Sequence, residues 1–190
     1  NIDEMKIEVA NHINDDRVRQ GTYWENNKGC FIGCLTHSNQ AQAVTDKFGM
    51  PLPLVKMTER IFERLPEKEA VEFFADIPHA IGADGKDLSL VHWKFLRDML
   101  LRLPEITSEI QTVIEGISLL AEGKEWSKDK ADSVAYAVRA ACPNRRQAAQ
   151  SMIQLLKDAP IKEASYPRTN KRRVVYGQET EEKGGHACKA

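Results

Sequence analysis

Residues 108–120 read SEIQTVIEGISLL, and this stretch indicates the fold class. Its apolar side chains recur at spacings of three and four, which is the period of one helix face. These side chains are Ile110, Val113, Ile114, Ile117 and Leu120. The stretch therefore predicts an amphipathic α-helix that buries one side. Ser108, followed three residues later by Gln111, predicts the N-cap of that helix.

The same apolar period recurs along most of the chain, with Pro and Gly between the segments. Further helices are predicted at about 3–18, 30–48, 54–65, 66–77, 87–103, 127–141 and 144–156. Asp87 and Asn144 are predicted N-caps. No series of alternating strands is visible. The pattern predicts an all-α, single compact domain of seven or eight helices over residues 1–160, followed by an extended, charged C-terminal arm over 161–190.

Composition narrows the function classes. The 190 residues include 42% hydrophobic and 29% charged residues, and the net charge is −1. This balance is typical of a globular domain and argues against direct nucleic-acid binding over a broad surface. No apolar run approaches the roughly 20 residues that a membrane helix needs, and no signal pattern opens the chain. We expect a cytoplasmic protein with reduced thiols and no membrane association.

The stretch from Cys30 to His37 carries the most distinctive chemistry. Cys30, Cys34 and His37 stand at i, i+4 and i+7, which places them on one face of a regular helix. Thiolate and imidazole are ligands that Zn²⁺ favours. The spacing therefore predicts a zinc site at these three residues. Because i and i+7 lie about 10.5 Å apart along a helix axis, Gly33 is expected to bend the helix.

A structural zinc site needs a fourth ligand. Glu63, or Glu59 one turn before it, is favoured, because a helical hairpin about residues 49–53 would return residues 54–66 beside 30–48. Other candidates are His79, Cys142, His12, and His186 or Cys188 in the tail.

Two metal-free interpretations of the cysteines stay open. Cysteine is often a small buried hydrophobe, and Phe31, Ile32 and Leu35 indicate a buried segment. Alternatively, Cys30 at a helix N-terminus could be a nucleophile, with His37, His79 or His92 as its base.

Several motifs give the chain a family resemblance. They are GTYW at 21–24, KGC at 28–30, Gly33-Cys34, His37-Ser38, FGMP at 48–51, RIFE at 60–63 and Leu65-Pro66. In these motifs the chain resembles a loose group of uncharacterised phage and prophage-associated bacterial proteins. The resemblance supplies no catalytic residue. It implies an accessory protein of a mobile element, a setting that includes zinc-stabilised helical inhibitors of host defence such as anti-CRISPR proteins.

The leading hypothesis is a non-enzymatic, zinc-stabilised helical module that binds a protein partner, such as a bacterial defence complex or CRISPR effector, and inhibits it. Tyr23 and Trp24, with the basic cluster Lys171, Arg172 and Arg173, are the candidate partner contacts. The alternatives are a zinc-dependent hydrolase, with an open three-ligand site and Glu59 or Glu63 as general base, and a metal-free helical scaffold. We therefore favour a binding protein over an enzyme.

Overall fold

The computed structural model describes residues 1–126 and 144–162, and these contain eight helices and one short hairpin. The helices are α1 (Ile2–Asn14), α2 (Phe31–Thr36), α3 (Ala41–Phe48), α4 (Leu52–Arg64), α5 (Glu67–Ile81), α6 (Val91–Leu101), α7 (Ser108–Ala121) and α8 (Arg145–Asp158). The hairpin strands are β1 (Trp24–Glu25) and β2 (Lys28–Gly29). The predicted all-α class is confirmed.

Helix termini follow local chemistry that the sequence partly reveals. The Asn144 side chain accepts from the Gln147 amide at 3.1 Å, so the predicted cap of α8 is confirmed. The predicted cap at Ser108 is wrong by one residue, because Thr107 accepts from the Ile110 amide and Ser108 opens the helix. Asp87 does not cap α6. Its carboxylate accepts from the Ser89 amide, and α6 begins after Leu90.

Three phenylalanines link the central helices. Phe74 of α5 makes edge-to-face contacts with Phe31 of α2 and Phe62 of α4, with ring centroids 5.8 and 6.2 Å apart. All three are fully buried. Aromatic pairs in this geometry contribute about 0.5–1.5 kcal/mol beyond their area burial. Around this centre α5 packs against α1, α4 and α8, and α6 packs against α7 and α8.

A tight hairpin covers α2. Asn26 and Asn27 both have positive φ, at 50° and 60°, which matches the two-residue turn that suits hairpin twist. None of the predicted helices covers this stretch. A Cβ on Gly33 would lie 1.3 Å from the Tyr23 carbonyl oxygen, so only glycine lets α2 approach the hairpin this closely.

The predicted continuous helix over 30–48 is wrong. Cys30 has an extended backbone and precedes α2, and His37 adopts the left-handed conformation at φ 52° that ends it. α3 begins four residues later. The i, i+4, i+7 geometry expected of Cys30, Cys34 and His37 therefore does not form.

The segment after α8 is held against the loop that precedes α6. Asp87 donates its amide to the Pro160 carbonyl, and Lys162 donates its amide to the Gly85 carbonyl, both at 2.7 Å. Residues 163–190 of the arm predicted at 161–190, and the helix predicted at 127–141, lie outside the described residues. Over 1–126 and 144–162, none of the helices combines the length and apolar character needed to cross a bilayer.

Candidate functional site

Cys30, Glu59 and Glu63 form a cluster of potential metal ligands. The Cys30 sulfur and one carboxylate oxygen from each acid lie within 4.8 Å of one another. Glu59 and Glu63 are one turn apart on α4, so both face the same neighbour. That neighbour is the start of α2, where Cys30 is 1% exposed. The prediction that α4 packs beside this stretch is therefore correct, and both acids lie close to Cys30.

Each carboxylate also receives a backbone N–H. Glu59 Oε2 accepts from the Ile32 amide at 3.2 Å, at the start of α2. The Cys30 side chain does not cap α2. Instead Glu59, which belongs to α4, accepts from one of the amides that the first turn of α2 leaves unpaired. Glu63 Oε2 accepts from the Gly21 amide at 2.9 Å. The two acids thus tie α4 to both ends of the segment 21–32.

Burial opposes charge at this cluster. Burial raises the pKa of Glu59 to about 7. Hydrogen bonds from Cys30 and from Ile32 lower this pKa and offset part of the effect. Burial, together with the negative charge and hydrogen bonding of Glu59, raises the pKa of the Cys30 thiol well above its usual range. A raised thiol pKa is the opposite of what a nucleophile needs at neutral pH, so the nucleophile hypothesis for Cys30 loses support.

Cys34 lies apart from this cluster. Its thiol is fully buried and donates to the Gly29 carbonyl at 3.1 Å, with the Arg17 carbonyl at 3.7 Å. Burial raises its pKa to about 12. Cys34 therefore links α2 to strand β2 of the hairpin. It does not share a ligand cluster with Cys30.

His37 belongs to a second, aromatic cluster. Its ring stacks on Trp24 with centroids 4.0 Å apart, and its Nε2 lies 3.2 Å from Nε2 of His12. His12 is buried, and its Nδ1 lies 2.7 Å from the Glu8 carbonyl oxygen. Because a carbonyl only accepts, that nitrogen carries a proton, and Nε2 of His12 faces Nε2 of His37. Sequence spacing did not reveal this pairing.

The remaining candidates are dispersed. Tyr23 is 49% exposed at the entry to the hairpin, whereas Trp24 is partly buried under His37. His79 is exposed on α5 and is not in the Cys30 cluster. Six predicted residues lie outside the described residues, so the structure does not place them. They are Cys142, Lys171, Arg172, Arg173, His186 and Cys188.

The chemistry of the Cys30 cluster suits a divalent transition metal. One thiolate and two carboxylates are accepted ligands of zinc. A cleft of about 550 Å³ borders the cluster and is lined in part by Tyr23, Ile32, Glu59 and Glu63. Within the part of the chain that the structure describes, this is the one group of three or more such ligands.

Comparisons of the chain with protein-family models, curated proteins and solved structures found no match.

Proposed function

We propose that the protein is a zinc-stabilised helical module that binds a protein partner, with Cys30, Glu59 and Glu63 as the metal ligands. The convergence of these three side chains from two elements is the observation that carries the proposal. Cys34 and His37 are not part of the proposed ligand set, because their side chains contact the hairpin and His12 instead.

The electrostatics of the cluster support a cation. A buried carboxylate is unfavourable when ionised, and burial, with the charge of Glu63 as a lesser cause, raises the pKa of Glu59 to about 7. A divalent ion would favour the ionised forms and displace the thiol proton. Metal affinity is therefore expected to rise with pH, and binding is expected to release protons.

Metal binding would also make the surface around Tyr23 more rigid. The ligands join α4 to the segment 21–32, which carries the exposed Tyr23 side chain. Exposed aromatic side chains on a rigid support are frequent energetic centres of protein interfaces. We therefore propose Tyr23 as a partner contact. The finer identity, a phage-encoded inhibitor of a bacterial defence complex such as a CRISPR effector, rests on the sequence resemblance alone.

The first test is metal content by mass spectrometry on tag-free, reduced protein, with Cys30→Ser and a matched Cys34→Ser control. About one zinc per chain is expected in the wild type. Cys30→Ser is expected to lose it, and Cys34→Ser to retain it, because only the Cys30 sulfur faces the two acids. Absence of zinc from the wild type, or equal loss from both variants, would support the metal-free scaffold.

One observation favours a zinc-dependent hydrolase as the second candidate. The described residues supply three protein ligands beside an open cleft, and catalytic zinc sites keep such an open position. However, if Glu59 and Glu63 both bind the metal, neither is free as a general base. Zinc-dependent hydrolysis of p-nitrophenyl acetate or bis-p-nitrophenyl phosphate that Glu63→Gln abolishes, with zinc still bound, would support the hydrolase.

A further inference from the structure

A second concave site lies on the other flank of α4. Between α4, α6 and α8 is a cavity of about 290 Å³. Its apolar lining comes from Pro53, Met57, Ile61, Phe95 and Ala148. Its remaining lining residues are all basic, and they are Lys56, Arg60, Arg64 and Arg145. An apolar floor with several like charges at its edge is typical of a ligand site more than of a packing defect.

The basic residues converge because of helix geometry. Lys56, Arg60 and Arg64 stand at i, i+4 and i+8 on α4, so they form one row. Arg145 is the first residue of α8, where the helix dipole adds positive potential. The same row also borders the cleft beside Glu59 and Glu63, whose carboxylates are directed to Cys30 and the backbone of segment 21–32.

These four cations lack an ion-pair partner in the part of the chain that the structure describes. Within residues 1–126 and 144–162, none of the four makes an ion pair or a side-chain hydrogen bond. The adjacent Arg146 is the contrast, since it pairs with Glu69 at 2.6 Å on a different face. Four cations around one apolar cavity, unpaired among the described residues, are electrostatically complementary to an anion.

We infer that this cavity binds a small amphiphilic anion, with its apolar body on Met57 and Phe95 and its carboxylate or phosphate at the basic row. The volume lies near the lower end of the range for small-molecule pockets, which suits a short acyl or aromatic acid. Arginine pairs equally well with planar carboxylates and with phosphates, so the headgroup class is left to the test. None of the proposed metal ligands lines this cavity.

The test is calorimetric titration of the full chain with octanoate, octyl phosphate, octanol and inorganic phosphate. Saturable binding of at least one octyl anion is expected, at least about tenfold tighter than octanol, because only the anion meets the basic row. Inorganic phosphate is expected to bind far more weakly, because it lacks the apolar body. Which of the two anions binds more tightly identifies the headgroup.

Variants locate the binding. Arg60→Gln is expected to weaken octyl-anion binding about two- to fivefold, and Arg60→Gln with Arg64→Gln about tenfold, because exposed charge pairs are individually weak. Lys68→Gln, which removes an exposed charge on α5, is the matched control and is expected to change nothing. Raising the salt concentration is expected to weaken octyl-anion binding and leave octanol unchanged.

Three outcomes would overturn the inference. Octanol binding as tightly as octanoate would remove the role of the basic row. Equal weakening by Lys68→Gln and Arg60→Gln would show a general charge effect. Binding of an acidic amphipathic peptide, with none by the octyl anions, would show that this face docks a polypeptide.

Discussion

Replacing Glu59 with glutamine is expected to stabilise the metal-free protein above pH 7 and to weaken its response to zinc. The pKa of Glu59, at about 7, lies above its ordinary value of 4.5 because the side chain is buried. Each pKa unit corresponds to about 1.4 kcal/mol, so ionised Glu59 lowers the free energy of unfolding by at most about 3 kcal/mol. Glutamine has nearly the same shape, carries no charge, and can still accept from the Ile32 amide.

The gain has a definite pH dependence. Between pH 4.5 and 7 the folded protein keeps a proton on Glu59 that the unfolded chain releases. Wild-type stability therefore falls as pH rises through that window, and the favourable contribution is fully lost above pH 7. The glutamine variant lacks this slope. The two proteins should differ little at pH 4.5 and by up to about 3 kcal/mol at pH 8, which is up to roughly 10 °C in Tm.

Urea unfolding at pH 5 and pH 8, with chelator present, measures the difference. Glu72→Gln is the control, because Glu72 is 63% exposed on α5 and its loss should leave the pH dependence unchanged. In chelator-free buffer, one equivalent of zinc should stabilise the wild type more than Glu59→Gln. If Glu59→Gln were destabilised by the same amount at both pH values, the carboxylate hydrogen bond would outweigh the burial cost, and the reasoning would be refuted.

Two further predictions concern the hairpin and a buried histidine. Gly33→Ala should destabilise by about 3 kcal/mol in urea unfolding, because its Cβ would lie 1.3 Å from the Tyr23 carbonyl oxygen. A variant as stable as the wild type would contradict the close approach of the hairpin to α2. Burial lowers the pKa of His92 from 6.5 to about 4, and its Nδ1 has no partner among the described residues. Because the unfolded chain binds that proton first, stability should fall as pH drops from about 6.5 to 4, by on the order of 3 kcal/mol. Circular dichroism against pH should show a smaller loss for His92→Gln, and equal loss in both proteins would assign the acid sensitivity elsewhere.

Most of the fold could be predicted from the sequence, because the helices depend on the spacing of apolar side chains along the chain. Val113, Ile114 and Ile117 are buried in α7 as expected, and Pro66 followed by Glu67 opens α5 as helix-start chemistry indicates. These features are local, so a single chain reveals them. The caps at Ser108 and Asp87 were wrong because several neighbouring polar residues could each satisfy the same amides.

The site was harder to predict, because its geometry depends on backbone conformations that the spacing of apolar residues does not reveal. Cys30 is extended and His37 is left-handed, so the regular helix that would align Cys30, Cys34 and His37 is only six residues long. Non-glycine residues adopt the left-handed conformation rarely, and here His37 does so where its ring stacks on Trp24 and meets His12. The tertiary contact therefore stabilises the conformation that ends the helix.

The partly correct prediction of the acids has a separate physical basis. The break at residues 49–51 makes α3 and α4 pack as neighbours, and α2 also contacts α4. Once α4 lies beside α2, the four-residue spacing of Glu59 and Glu63 directs both to one end of α2. Chain reversal and helix period thus predict which acids approach Cys30, whereas the roles of Cys34 and His37 depend on the hairpin. The same period places Lys56, Arg60 and Arg64 in one row, which borders both the cavity and the cleft beside Glu59 and Glu63.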